Sequence, residues 1–111
     1  MKPAEIAIGS VCNVYSRQMF FRHAGDYEQG HTHDYDHLTL LAAGSLKVTV
    51  DGQVTVYKAP HMIYIYKDKQ HELVALEDKT VAFCIHARRD IEGNVIDPTM
   101  VPNGVEYGSN N

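Results

Sequence analysis

Short apolar runs alternating with polar turns dominate this sequence, and that rhythm points to an all-β fold. Residues 46–50 read Leu-Lys-Val-Thr-Val, apolar at every second position, and residues 53–57 repeat the pattern. Asp51-Gly52 between them is a tight-turn pair. Residues 6–15 read as a first strand entered after Pro3, 19–23 as a second apolar stretch, and 25–30 as a polar turn. Further strands are expected over 31–41 and 62–66, with a polar turn at 67–70. Residues 71–76 and 81–87 read as a hairpin around Glu77-Asp78-Lys79. No segment sustains helical periodicity, so neither the crossover helices of a parallel sheet nor a helix-turn-helix is available. The expectation is eight or nine antiparallel strands in about 85 residues, a small sandwich or barrel. From Arg88 onward the chain changes character, with Gly93, Asn94, Pro98, Pro102, Gly104 and Gly108. Residues 88–111 read as an irregular tail.

A chain of 111 residues and 12.5 kDa fits one domain, residues 1–111. Folding at this size buries about two-thirds of the surface, enough for a core without staples. Ten Lys and Arg face fourteen Asp and Glu, a formal charge of -4. The basic residues are scattered, apart from Arg88-Arg89, so no stripe exists to follow a phosphate backbone and nucleic acid is not an expected partner. No apolar run approaches the ~20 residues of a membrane span and no signal peptide opens the sequence, so the expected location is the cytoplasm. Cys12 and Cys84 lack CxxC spacing and read as reduced thiols.

Histidine is the anomaly. There are seven, three of them between positions 31 and 37. His31 and His33 are two apart, so in a strand both face one side, and His37 has the same parity. A straight strand would separate His31 from His37 by about 20 Å, at ~3.3 Å per residue. They can share one ion only if the chain turns between them, and Asp34-Tyr35-Asp36 is suitable turn chemistry. His71, just after the turn at 67–70, is the natural fourth candidate. The bland alternatives are a solvated His-x-His on a surface strand for His31 and His33, and a loop histidine for His71. For His37 the alternative is a residue facing the substrate beside a three-histidine site.

These residues resemble the first motif of the cupins, G-x5-H-x-H-x3,4-E-x6-G. Gly25, His31, His33, His37 and Gly44 stand at its spacings, with His37 where that family usually has glutamate. The second motif, P-x-G-x2-H-x3-N, is matched only by His71. Tyr66 and Asp68 replace its proline and glycine, and Val74 and Ala75 fall where the closing polar residue belongs. The resemblance spans residues 20–87. It implies a double-stranded β-helix (jelly-roll) barrel, a homodimer, and one divalent transition-metal ion per chain on His31, His33, His37 and His71. Imidazoles suit Fe, Mn, Ni, Cu or Zn rather than Ca or Mg. Four neutral ligands would leave the site at +2, a charge that favours an anionic or oxygen-chelating small molecule. The apolar run at 6–14 is the expected pairing surface for the dimer.

Beyond the ligands, Ala82, Cys84 and His86 share one face of the last strand, and Val81, Phe83 and Ile85 share the other. The pattern does not choose which face lines the interior. Cys84 and His86 are candidates for contact with substrate, against the plainer roles of a small buried hydrophobe and an edge histidine. Tyr35 and Tyr64 are candidate proton donors, against the plainer role of packing. Asp34 and Asp36 neighbour the cluster, but alternation points them away from His33. The leading functional expectation is a metal-dependent oxidoreductase of the dioxygenase type. One rival is an isomerase or lyase using the metal as a Lewis acid. The other is a non-enzymatic small-molecule or metal-binding module.

Overall fold

The computed structural model describes residues 1–31, 36–87 and 104–107. In chain order the strands are β1 (Glu5–Val11), β2 (Val14–Phe21), β3 (Tyr27–His31), β4 (His37–Ala43) and β5 (Ser45–Val50). They continue with β6 (Gln53–Lys58), β7 (His61–Ile65), β8 (His71–Ala75), β9 (Thr80–Ala87) and β10 (Gly104–Tyr107). One sheet runs β10-β1-β2-β9-β4-β7 and the other β3-β8-β5-β6, with every ladder antiparallel. Among the described residues no helix is long and apolar enough to cross a membrane. The all-β expectation holds.

Alternation decides which residues meet between the sheets. On β4, His37, Thr39 and Leu41 are buried, while Leu38 and Ala42 are exposed. On β8 the buried set is His71, Leu73 and Ala75. Met19 and Phe21 on β2 face the same interior as Thr80 and Ala82 on β9. The core proper is Met19, Phe21, Leu41, Leu46, Val48, Ile63, Ile65, Leu73, Ala75 and Ala82. Each large side chain among them stabilises the fold by about 1.5–3 kcal/mol relative to exposure.

Register stacks the interior in levels. Across β2, β9 and β4, Met19, Ala82 and Leu41 form an apolar level. The next level is Arg17, Cys84 and Thr39, and beyond it Tyr15 is paired with His86. On the other sheet Ala75 pairs with Leu46, Leu73 with Val48 and Glu28, and His71 with Val50 and His31. The interior is therefore apolar at one end and polar at the other.

Several local expectations change. The run 6–15 is not one strand: Cys12, at φ 54, turns the chain between β1 and β2. A left-handed turn there without glycine is what the sequence pattern concealed. Residues 27–31 are strand rather than turn, because Glu28 and His31 pair with Leu73 and His71 on β8. The run 31–41 is divided between the two sheets, with His31 closing β3 and His37 opening β4. β8 and β9 are not a hairpin but lie in different sheets. Thr80 anchors that crossing, donating through Oγ1 to the Glu77 carbonyl at 2.9 Å. Within the tail, 104–107 pair with β1, so the expected open edge of the N-terminal run is covered by this chain's own β10.

Candidate metal centre

His37 and His71 reach the polar end from different sheets. Both are 5% exposed, and their ring centroids lie 5.1 Å apart with planes tilted by 52°. Two imidazoles on adjacent positions of one ion, with bonds of about 2.1 Å, would place their ring centres about 4.6–5.3 Å apart. The observed pair falls within that range, so its spacing fits a shared ion. His71 Nδ1 lies 3.3 Å from the Lys69 carbonyl, an acceptor, so Nδ1 carries the proton and Nε2 keeps the basic lone pair. Fixing the tautomer in this way is how a protein prepares a histidine ligand.

His31 is the register partner of His71, which brings a third expected ligand to the same level of the backbone. A shift in register between Glu28 and His31 accompanies that approach. His33 and Tyr35 lie outside the described residues, as does Asp34. Among the described residues no group of three metal-ligating side chains is assembled. His37 and His71 are the described pair of the expected four.

The last strand resolves its own ambiguity. Ala82 is fully buried, so the Ala82, Cys84 and His86 face is the interior one. Cys84 packs partly buried against the core, its Sγ 3.5 Å from Thr39 Oγ1. Burial pushes the Cys84 thiol up, more than the Thr39 hydrogen bond and the positive charge of Arg17 lower it. His86 Nδ1 lies 2.8 Å from the Ala87 carbonyl, so the proton is on Nδ1 and the basic nitrogen is Nε2. Its ring stacks on Tyr15 at 4.7 Å.

Tyr64 is placed differently from the other candidates. It pairs with Leu38, on the opposite face of the sheet from His37, and is 52% exposed. Its hydroxyl donates to Asp36 Oδ2 at 2.8 Å, and that bond holds the phenol above its usual pKa. Asp36 Oδ1 also accepts from the Lys67 backbone N–H at 2.7 Å, so Asp36 pins the turn leading into β8.

Two interior residues escaped the sequence reading. Arg17 and Glu28 form an ion pair between the two sheets, one level from the histidines, with side chains 14% and 16% exposed. Glu28 was concealed by reading 25–30 as a turn. Arg17 was legible in principle, since it shares parity with Met19 and Phe21.

No protein-family model and no curated protein matches the chain. Solved structures do. KdgF from Halomonas sp. superposes with a TM-score of 0.66 at 17% identity, over 77% of this chain and 78% of that one. An RmlC-like cupin with a double-stranded β-helix fold from Methanocaldococcus jannaschii gives 0.65 at 12% identity, covering 86% and 84%. A cupin 2 domain-containing protein from Halorhodospira halophila gives 0.60 at 19% identity, over 73% of this chain but only 61% of that one. At these identities the likeness is one of fold, and with the two antiparallel sheets described above it shows that this chain is a small domain of the cupin fold.

Proposed function

We propose that this chain is a metal-dependent enzyme acting on a small anionic, oxygen-chelating substrate, with dioxygenase-type oxidation as its leading chemistry. His31, His33, His37 and His71 would hold one divalent transition ion. The observation that supports this reading is the approach of His37 and His71 from separate sheets, with ring centroids 5.1 Å apart. When bound, such an ion supplies Lewis acidity and, if redox-active, electron transfer with dioxygen. The chain's own residues supply the rest. The Lys69 carbonyl orients His71. His86 offers Nε2 as the nitrogen that accepts a proton, with Tyr15 against its ring. Thr39 and Cys84 contribute a neutral wall.

A second reading, non-oxidative isomerase or lyase chemistry, is favoured by Glu28, which brings a carboxylate into the interior. The metal would then serve only as a Lewis acid, and proton transfer would fall to acid–base groups of the chain. A homodimer in the cytoplasm belongs to the proposal, with its surface moved away from the covered β1 edge. Met62, Tyr64 and Tyr66 lie exposed along and just beyond β7, and among the described residues that strand ends its sheet.

The test begins with elemental analysis of protein purified without a histidine tag. One equivalent of a transition metal per chain, lost in His33→Ala and His71→Ala, is the expected result. No stoichiometric metal in the unaltered chain would overturn the proposal. Oxygen uptake with enolisable and diol acids then separates the two chemistries, since only the oxidative one consumes dioxygen.

A further inference from the structure

Arg17 shares the inward face of β2 with Met19 and Phe21, and Glu28 is the register partner of the buried Leu73. Arg17 Nη1 donates to Glu28 Oε2. Arg17 Nε is fully buried and, among the described residues, has no hydrogen-bond partner. Such a donor inside a protein is costly to leave unmade, and its retention asks for an acceptor. In a guanidinium, Nε–H and one Nη2–H point in parallel and form a side-on edge that fits a planar carboxylate. Glu28 takes Nη1, on the other side, and leaves this edge open to a different acceptor.

The level at which Arg17 sits says what that acceptor belongs to. Arg17 is opposite Cys84, Cys84 is opposite Thr39, and Thr39 is two residues from His37 on the same face of β4. Two residues along a strand (about 6.7 Å) and two strand spacings (about 4.8 Å each) separate Arg17 from His37, about 12 Å between backbones. The extended Arg17 side chain covers enough of that span for a small molecule of four to six heavy atoms to bridge the rest. The geometry points to Arg17 as a carboxylate-binding residue: its Nε/Nη2 edge takes one carboxylate of a small organic acid whose far oxygens extend toward His37 and His71. Glu28 positions the guanidinium. Because Glu28 already balances the charge of Arg17, the subsite suits one planar carboxylate group, a single charge shared by two oxygens, rather than a tetrahedral phosphate dianion. Cys84, its thiol pushed up by burial, adds no opposing charge.

Only the far end of this ligand rests on the metal proposal; the carboxylate end needs no metal. The probe is malonate, titrated calorimetrically into the full chain both metal-loaded and metal-stripped, with malonamide as the uncharged control and inorganic phosphate as the tetrahedral anion. Malonate is expected to bind both forms, malonamide neither, and phosphate not the metal-stripped form. Glu28→Gln removes the competing carboxylate and should tighten malonate by about three- to tenfold. Arg17→Met with Glu28→Gln leaves no unpaired charge inside and should weaken it by at least about tenfold. Arg17→Lys keeps the charge without the side-on edge, should weaken binding as well, and stands in should the double variant fail to fold. The proposal is overturned if the metal-stripped unaltered chain ignores malonate, or if the metal-stripped double variant or Arg17→Lys binds it as the parent does. An unchanged or weakened affinity in Glu28→Gln overturns it equally. Arg17-dependent binding in a chain that takes up no stoichiometric metal would sink the metal reading and keep the subsite. Stoichiometric metal with binding indifferent to Arg17 would do the reverse.

Discussion

Thr39 Oγ1 and Cys84 Sγ stand 3.5 Å apart across the β4–β9 ladder, one level from His37 toward the core. A thiol binds metal and attacks electrophiles as thiolate, and burial here opposes that form. The Arg17 charge and the Thr39 hydrogen bond act the other way but are outweighed. Cys84 is thereby a neutral, polarizable wall beside the histidines rather than a nucleophile.

The two cysteines should consequently react at very different rates. Cys12 is exposed in the β1–β2 turn. Iodoacetamide near neutral pH should alkylate Cys12 at least about tenfold faster than Cys84, read by peptide mass spectrometry over time. Equal rates would mean that the Cys84 thiol is neither sheltered nor held neutral.

Gly44 joins β4 to β5, the step from one sheet to the other, at φ +81. A Cβ there would lie 2.9 Å from Thr80 Cα and collide with Thr80 Oγ1. Gly52 has nearly the same φ, +83, but nothing within 4 Å. Gly52→Ala should cost about 1 kcal/mol from backbone strain alone. Gly44→Ala should cost at least about 2 kcal/mol more, because Thr80 is fully buried and cannot retreat. Thermal unfolding of the two variants side by side measures the difference, and equal melting temperatures would contradict it.

Legibility follows from which signals are local. Period-two alternation at 46–50 and 53–57 survives as β5 and β6, because Asp51-Gly52 closes a hairpin between adjacent strands. The β8–β9 hairpin expectation fails because a short polar turn looks the same whether the chain returns to its own sheet or crosses to the other. Thr80 and Glu77 are what mark the crossing, through a hydrogen bond the sequence does not display. The requirement that the chain turn between His31 and His37 is met by a change of sheet. The Arg17–Glu28 pair was not legible, since it joins residues from β2 and β3 in different sheets and depends on the true boundary of β3.

Acid should loosen the N-terminal segment through Asp26. Its carboxylate accepts the backbone N–H of Lys2 at 3.0 Å and of His23 at 3.1 Å. These two bonds hold its pKa below the ordinary 3.8. With the folded value depressed, the unfolded chain takes up the proton first. The stabilisation is therefore complete above about pH 4 and disappears as pH falls through the folded value. Asp26→Asn should lower the melting temperature near pH 7, and the gap to the parent should narrow toward pH 3. A gap independent of pH would show that the charge on Asp26 is not what the two N–H groups stabilise.

The identity of residue 37 offers a sharper test of the histidine site. Glutamate is the commoner residue at this position of the cupin motif, and it also presents a donor to transition metals. His37→Glu should therefore keep one equivalent of metal, measured by elemental analysis, while His37→Ala loses most of it. The carboxylate lowers the net charge of the site by one unit, so an anionic probe such as azide should bind the loaded His37→Glu protein about tenfold more weakly than the parent. His37 is buried and lies beside His71, so the exchange places that negative charge directly against the other ligand. Full metal retention in His37→Ala would show that residue 37 is not a ligand. The ion would then rest on His31, His33 and His71, and His37 would take over from His86 as the residue placed to accept a proton from substrate.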